Sequence, residues 1–270
     1  MPTQKILQAT IGVAVLAALS PASHASLLLY YNFDSDSLLS NGIRNVAPGA
    51  TVNGTLIEGT NAAALSSFVT SGAPGASGKA LSFTEAPGSN ATVSDYIDTN
   101  FVTSSLGITS GTAYTAMAWV KFGNQNADNM IFGAAVTGAS LHLGSRGANY
   151  HSGHWADDYT IGTTDVNAWH HVAYTNGLDG TQEIFVDGLS IGSGATGTTS
   201  GMDTSLRLAI GTGAPGDAAL SGIIDEVKIF NTRLTSAEIQ TAATVVPEPS
   251  TLTALFCGVA LLGGVRRRRK

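Results

Sequence analysis

Cysteine is nearly missing from this 270-residue chain. The single one, Cys257, stands in an apolar stretch near the C-terminus, so the body can form no internal disulfide and must be held by its core. Charge is sparse as well, at 12% of residues, and positive charge is sparser than negative. Six of the 13 Lys and Arg are Lys5 and the terminal run Arg266 to Lys270, which leaves seven basic residues against 19 acidic ones. A body that acidic argues against nucleic acid as a partner, because such binding rests on neutralising phosphates with Lys and Arg. Helical periodicity is missing until the end of the body, and no repeat recurs at a fixed period. There is no His-Glu-x-x-His, no phosphate-binding glycine loop and no cysteine nucleophile in the body, which argues against several enzyme classes.

What is present begins at the two ends. Lys5 precedes an apolar stretch from Ile6 to Leu19, and Ser23-His24-Ala25 places small residues where a signal-peptide cleavage site needs them. A buried helix of a folded domain would carry a polar face, which Ile11 to Leu19 lacks, so residues 1–25 are expected to be a signal peptide cut after Ala25. At the other end, Thr251 to Val265 is apolar and runs into Arg266, Arg267, Arg268, Arg269 and Lys270. That span is shorter than the roughly 17–25 residues of a comfortable membrane helix, and its basic end sets the C-terminus on the cytoplasmic side. Pro247-Glu248-Pro249 stands just before it. The motif, the span and the arginine end together resemble a PEP-CTERM sorting tail over residues 244–270. The resemblance implies an exosortase as processing partner, with transient insertion in the inner membrane; the alternative is an ordinary membrane anchor. The expected destination is the cell surface, outer membrane or extracellular matrix.

Residues 26–243 read as short β-type runs separated by Gly, Asn, Asp, Ser and Thr. The clearest strands are expected at Leu27 to Phe33, Lys79 to Phe83, Tyr114 to Phe122, Met130 to Ala135, Trp169 to Thr175, Gln182 to Val186, Leu206 to Gly211 and Ile223 to Phe230. Along the third, Tyr114, Ala116, Ala118, Val120 and Phe122 alternate as one apolar face, which belongs to the core. Asp187-Gly188 between two apolar runs signals a two-residue hairpin, since a type I′ turn needs positive φ at both central residues. Thr235-Ser236-Ala237-Glu238 is a capping box opening a short helix to about Ala243.

In order, Tyr30-Tyr31-Asn32-Phe33-Asp34, Gly78 to Phe83, Tyr114 to Lys121, Trp169-His170-His171-Val172-Ala173, Phe185-Val186-Asp187-Gly188 and Gly222 to Phe230 resemble the laminin-G-like, concanavalin A-like domain. The resemblance covers nearly the whole body and implies an all-β, two-sheet antiparallel jelly-roll sandwich. It says little of function, because that fold hosts lectins, adhesion modules and enzymes alike.

Two constellations are candidates for chemistry. Asp34 and Asp36 near the end of the first strand, with Asp225 and Glu226 in the last, offer hard oxygens of the kind Ca²⁺ takes, and the resemblance implies a calcium ion pinning the chain ends. Solvated edge carboxylates are the other account. The second is Asn149 to Trp155, expected as a loop, where Tyr150 and Trp155 can stack on sugar rings while His151, His154, Asp157 and Asp158 bond hydroxyls. The alternative is a loop whose aromatics cover the core. His142, His151, His154, His170 and His171 invite a zinc site, but His151-x-x-His154 fits neither helix nor strand spacing, which favours surface or satisfied histidines. Jelly-roll glycosidases carry a Glu-x-Asp-x-x-Glu strand motif that this chain lacks, and Glu183 with Asp187 is its nearest imitation. The expectation is thus a non-catalytic, exported surface or matrix module that binds exopolysaccharide or surface glycan. The alternatives are a purely structural biofilm matrix protein and, third, a glycoside hydrolase or polysaccharide lyase.

Overall fold

The computed structural model describes residues 25–244, apart from 38–40, 60–65, 71, 77, 85–93, 110, 156, 196–201 and 215–217. The expected signal peptide up to His24 and the tail from residue 245, with Pro247, Glu248, Pro249 and Arg266 to Arg269, lie outside the described residues. Among the described residues no helix is long and apolar enough to cross a membrane.

In chain order the strands are β1 (Leu27–Tyr31), β2 (Gly42–Ile43), β3 (Gly54–Ile57), β4 (Ser67–Val69), β5 (Ala80–Thr84), β6 (Tyr96–Val102), β7 (Tyr114–Phe122) and β8 (Asn129–Ala134). Then come β9 (Leu141–Arg146), β10 (Asn149–His154), β11 (Asp158–Ile161), β12 (His170–Asn176), β13 (Thr181–Val186), β14 (Leu189–Ala195), β15 (Arg207–Ile210) and β16 (Ser221–Phe230), with helix α1 (Ser236–Thr244) after them. Sheet A runs β14-β13-β12-β7-β16-β5-β4, and β1 also pairs with β16. Sheet B runs β11-β10-β9-β8-β15-β6-β3-β2. The protein is the expected all-β jelly-roll sandwich of two antiparallel sheets, with its first and last strands in register from Leu29 opposite Ile229 to Tyr31 opposite Val227.

Alternation builds the core. On β7, Tyr114, Ala116, Ala118, Val120 and Phe122 face inward and join Phe132, Leu143, Tyr174 and Ile184 in the main cluster. The opposite face of sheet A is apolar too, because Met117, Ala173 and Phe185 pack with Leu234 and with Ile239 of α1. Each large side chain so buried contributes roughly 1.5–3 kcal/mol. The capping box holds that helix in place: the Thr235 N–H donates to Glu238 Oε2 at 2.8 Å, and the Glu238 N–H to Thr235 Oγ1 at 3.3 Å. Asp187 and Gly188, at φ 52° and 78°, make the expected turn, with Val186 opposite Leu189.

One expectation is overturned. Asn149 to His154 is not a loop but β10, paired to β9 on one side and β11 on the other. Its Gly, Ser and His content hid the alternation, since two of the residues that turn inward are themselves polar. Tyr150 joins the core, the Ser152 hydroxyl donates to Gln182 Oε1, and His154 Nε2 hydrogen-bonds the Tyr114 hydroxyl, while His151 and Gly153 face out.

Candidate functional site

The outer face of sheet B carries the polar chemistry at β9, β10 and β11. Gly153 stands opposite His142 on one side and Asp158 on the other, with His151 two residues along the same face. The His142 and His151 rings stack with centroids 6.1 Å apart, and His142 lies 6.1 Å from the Trp155 ring. Arg146 spans the edge, its Nη1 2.6 Å from Asp158 Oδ2 and its Nε 3.5 Å from Asp128 Oδ2. His142, Arg146, Trp155, Asp158 and Asp128 line a recess of about 410 Å³, together with Met130.

Trp155 is 48% exposed and sits at φ 44°, a left-handed conformation in which a bulky residue is strained. Such strain, of order 1–3 kcal/mol, tends to collect where a side chain is held for function. Below it, burial first and then Arg146 push the His151 imidazole down to about 4, so it is neutral at neutral pH. Its Nδ1 is 3.0 Å from Thr160 Oγ1 and its Nε2 is 3.8 Å from Asp158 Oδ1.

Of the six residues expected to meet a ligand, the structure brings Trp155 and Asp158 to the recess wall, while His151 is fully buried and does not line the recess, stacking instead on His142 of that wall. Tyr150 and His154 must be corrected: they are 3% and 1% exposed, Tyr150 edge-on to Phe122 and His154 edge-on to Tyr114. Burial pushes the Tyr150 hydroxyl up to about 12 and His154 down to about 4. Asp157 serves the turn through its carbonyl, which accepts from Gln182 Nε2 at 3.0 Å and the His154 N–H at 3.3 Å. Asp128 and Arg146 were missed, and His142 was not placed. The Leu141-His142-Leu143 alternation carried a signal for the last of these, since a period of two turns His142 outward between two core leucines.

The acidic set divides. Asp225 is 1% exposed, and its Oδ2 accepts the Ala73 N–H at 2.9 Å. Burial, reinforced by the nearby Glu226 and Asp34 carboxylates, pushes it up to about 7. Asp34 lies against the neighbouring Gly78, where a Cβ would fall 1.8 Å from its Oδ1. A Cβ on Gly72 would stand 3.0 Å from Asp225 Oδ2, 3.8 Å from the Gly78 carbonyl oxygen and 3.9 Å from that of Ala76. Carboxylate and carbonyl oxygens gathered around a buried carboxyl fit a hard cation such as Ca²⁺. The other two turn elsewhere: Asp36 accepts the Arg44 N–H at 3.2 Å, and Glu226 Oε2 takes the Tyr30 hydroxyl at 2.7 Å and Lys228 Nζ at 2.8 Å.

Two patterns with catalytic letters are structural here. Gly188-Leu189-Ser190-Ile191-Gly192 spells a Gly-x-Ser-x-Gly elbow, against the expectation that the chain has none, but it forms a hairpin turn and strand, and Ser190 donates to Glu183 at 2.6 Å. Glu183 pairs with Arg233 at 2.7 Å, and Asp187 accepts the His171 N–H at 3.0 Å.

Residues 90–240 match the Laminin_G_3 model, described as the concanavalin A-like lectin/glucanases superfamily. No curated protein matches the chain. Among solved structures, domain 4 of AbnA, a GH43 extracellular arabinanase from Geobacillus stearothermophilus, was determined in complex with arabinotriose. It aligns at TM-score 0.59 and 18% identity over 82% of this chain and 99% of its own. Botulinum neurotoxin type C, whose cell entry depends on two ganglioside molecules, aligns at TM-score 0.55 and 12% identity, over 81% of this chain and 50% of the toxin's. Trypanosoma rangeli sialidase, in complex with the inhibitor DANA, aligns at 0.54 and 16%, over 80% of this chain and 32% of its own. At these identities the likeness is one of fold.

Proposed function

The chain belongs to the concanavalin A-like lectin/glucanase superfamily, and from that premise we propose that it is a non-catalytic carbohydrate-binding module of the cell surface or extracellular matrix. The observation that carries this is the recess on sheet B. It sets an exposed indole beside an imidazole, a guanidinium and two carboxylates, an apolar plate with polar groups at its rim. Pyranose rings present a C–H face to such a plate and hydroxyls to such a rim. Neighbours of the same fold that hold arabinotriose or engage gangliosides support the ligand class. A non-catalytic role is supported by Arg146, which engages both Asp128 and Asp158, the carboxylates of the recess.

Export is supported by the apolar stretch Ile6 to Leu19 with the small residues of Ser23-His24-Ala25 after it, and sorting by an exosortase is supported by Pro247-Glu248-Pro249 with its span and arginine end. Ca²⁺ is the proposed resident ion at the chain ends, held by Asp34 and Asp225 with the carbonyl oxygens of Ala76 and Gly78; it would supply charge neutralisation and a clasp between first and last strands.

The deciding experiment is a glycan array followed by calorimetry with exopolysaccharide fragments, in calcium, on wild type and Trp155→Ala. Binding that the substitution weakens at least tenfold is the expected result, in line with loss of a central aromatic anchor. A blank array with and without calcium overturns the proposal and leaves a structural matrix protein. Release of reducing ends or unsaturated sugars overturns its non-catalytic part.

A further inference from the structure

We propose that His142, His151 and Asp158 form a Zn²⁺ site on the outer face of sheet B. One ligand atom from each of His142, His151 and Asp158 lies within 4.8 Å of the other two, and they are the one such group of three among the described residues. The ladder around Gly153 is what gathers them: His142 comes from the strand on one side, Asp158 from the strand on the other, and His151 from the same strand. A Cβ at Gly153 would stand 2.8, 2.7 and 2.6 Å from His142 Nδ1, His151 Nε2 and Asp158 Oδ1. All three are therefore aimed at one locus, directly over a residue that has no side chain.

Zinc takes imidazole nitrogen at about 2.0–2.1 Å and carboxylate oxygen at about 2.0–2.2 Å, which sets tetrahedral donor atoms about 3.4 Å apart; His151 Nε2 and Asp158 Oδ1 are 3.8 Å apart, so the three donors must draw together around an ion seated above Gly153. Two nitrogens and one oxygen suit zinc and not Ca²⁺, which takes six to eight oxygens. His151 is fully buried, and its Nε2 makes no hydrogen bond, whereas buried polar atoms nearly always find a partner. Outer contacts already orient two of the ligands. Thr160 Oγ1 is 3.0 Å from His151 Nδ1, and in the tautomer whose Nδ1–H donates to it the lone pair falls on Nε2; Arg146 holds Asp158 by Oδ2 and leaves Oδ1 to the histidines. Three protein ligands leave a fourth position for water or a ligand oxygen, on the side of the recess.

The test uses metal alone, so its outcome is independent of glycan binding. Full-length protein made without a polyhistidine tag is stripped with EDTA, freed of chelator, and titrated with ZnCl₂ and separately with CaCl₂. One equivalent of zinc is expected, with Co²⁺ substitution giving the visible bands of a low-symmetry four-coordinate site. Gly153→Ala keeps every ligand but places a methyl at the locus; it and His142→Ala should each weaken zinc binding more than about 100-fold, beyond the 10–100-fold of losing an outer-shell partner. His170→Ala, outside the cluster, should leave it unchanged. If Gly153→Ala does not fold, His142→Gln at its half-buried position decides the matter. No zinc uptake by the wild type, or uptake unchanged in the His142 variant, overturns the proposal.

Discussion

The two outer faces of the sandwich have been treated in opposite ways. On sheet A, Met117, Ala173 and Phe185 form an apolar floor, and the chain returns after its last strand to cover it with Leu234 and Ile239. On sheet B, the β9–β11 region bears His142, His151, Arg146 and Asp158, and Trp155 stands 48% exposed beside them. One face is a packing surface, whose worth is apolar area removed from water. The other keeps imidazoles and a paired set of charges over a buried layer, with the Arg146 and Asp158 side chains still 42% and 38% exposed. A protein of this fold thus divides labour by covering one face and leaving the other open.

The largest expected effect bears on what the faces share. His171 on the outer side of sheet A, His151 on that of sheet B and His154 between the sheets are all pushed down to about 4, burial being the chief cause in each. Lys228 adds to the effect at His171, and Arg146 and His142 at His151, while Asp187 and Asp158 oppose it. A histidine whose folded value lies below its unfolded one binds fewer protons when folded, so stability is full above pH 6.5 and is lost as pH falls toward 4. Denaturant melts at stepped pH should show a loss on the order of 3 kcal/mol per group across that window. A His151 that titrates near 6.5 by NMR would break the likeness and mark the open face as solvated.

Next in size is the contrast itself. Phe185→Ala, under α1, should cost about 3–5 kcal/mol by urea unfolding, the usual range for an emptied aromatic site. Trp155→Ala should stay within about 0.5 kcal/mol, as surface changes do. Comparable losses at both positions would mean that Trp155 packs and does not recognise.

The smallest effect concerns the chain ends, which belong to neither face. Burial raises Asp225 to about 7, so without a cation the folded state is penalised increasingly as pH rises from about 4 through 7. Ca²⁺ at 100 times its Kd should then add about 2.7 kcal/mol at and above neutral pH, read as a rise in Tm over EDTA, and little near pH 5. A Tm indifferent to both ion and pH sinks the calcium assignment.

Legibility followed the range of the interaction. β7 could be read because five apolar residues alternate without a break, and the Asp187-Gly188 turn and Thr235–Glu238 cap because their partners are two or three residues apart. β10 could not, because two of its three inward positions are Ser152 and His154, polar letters whose partners Gln182 and Tyr114 lie 30 and 40 residues away. The recess was half-read: Trp155 and Asp158 stood out by type, but Asp128 and Arg146 join it only through strand pairing.

By itself, then, the sequence determined the fold class, the core face of the central strand, the hairpin and the helix cap, since these rest on periodicity and on contacts within a few residues. Only the tertiary structure decided that the segment 149–154 is a strand, that Tyr150 and His154 are interior, and that His142, His151 and Asp158 meet over Gly153. The reason is register: a shift of one residue between β9 and β10 would turn His142 from the open face into the core, and which register holds is set by packing across the whole sandwich.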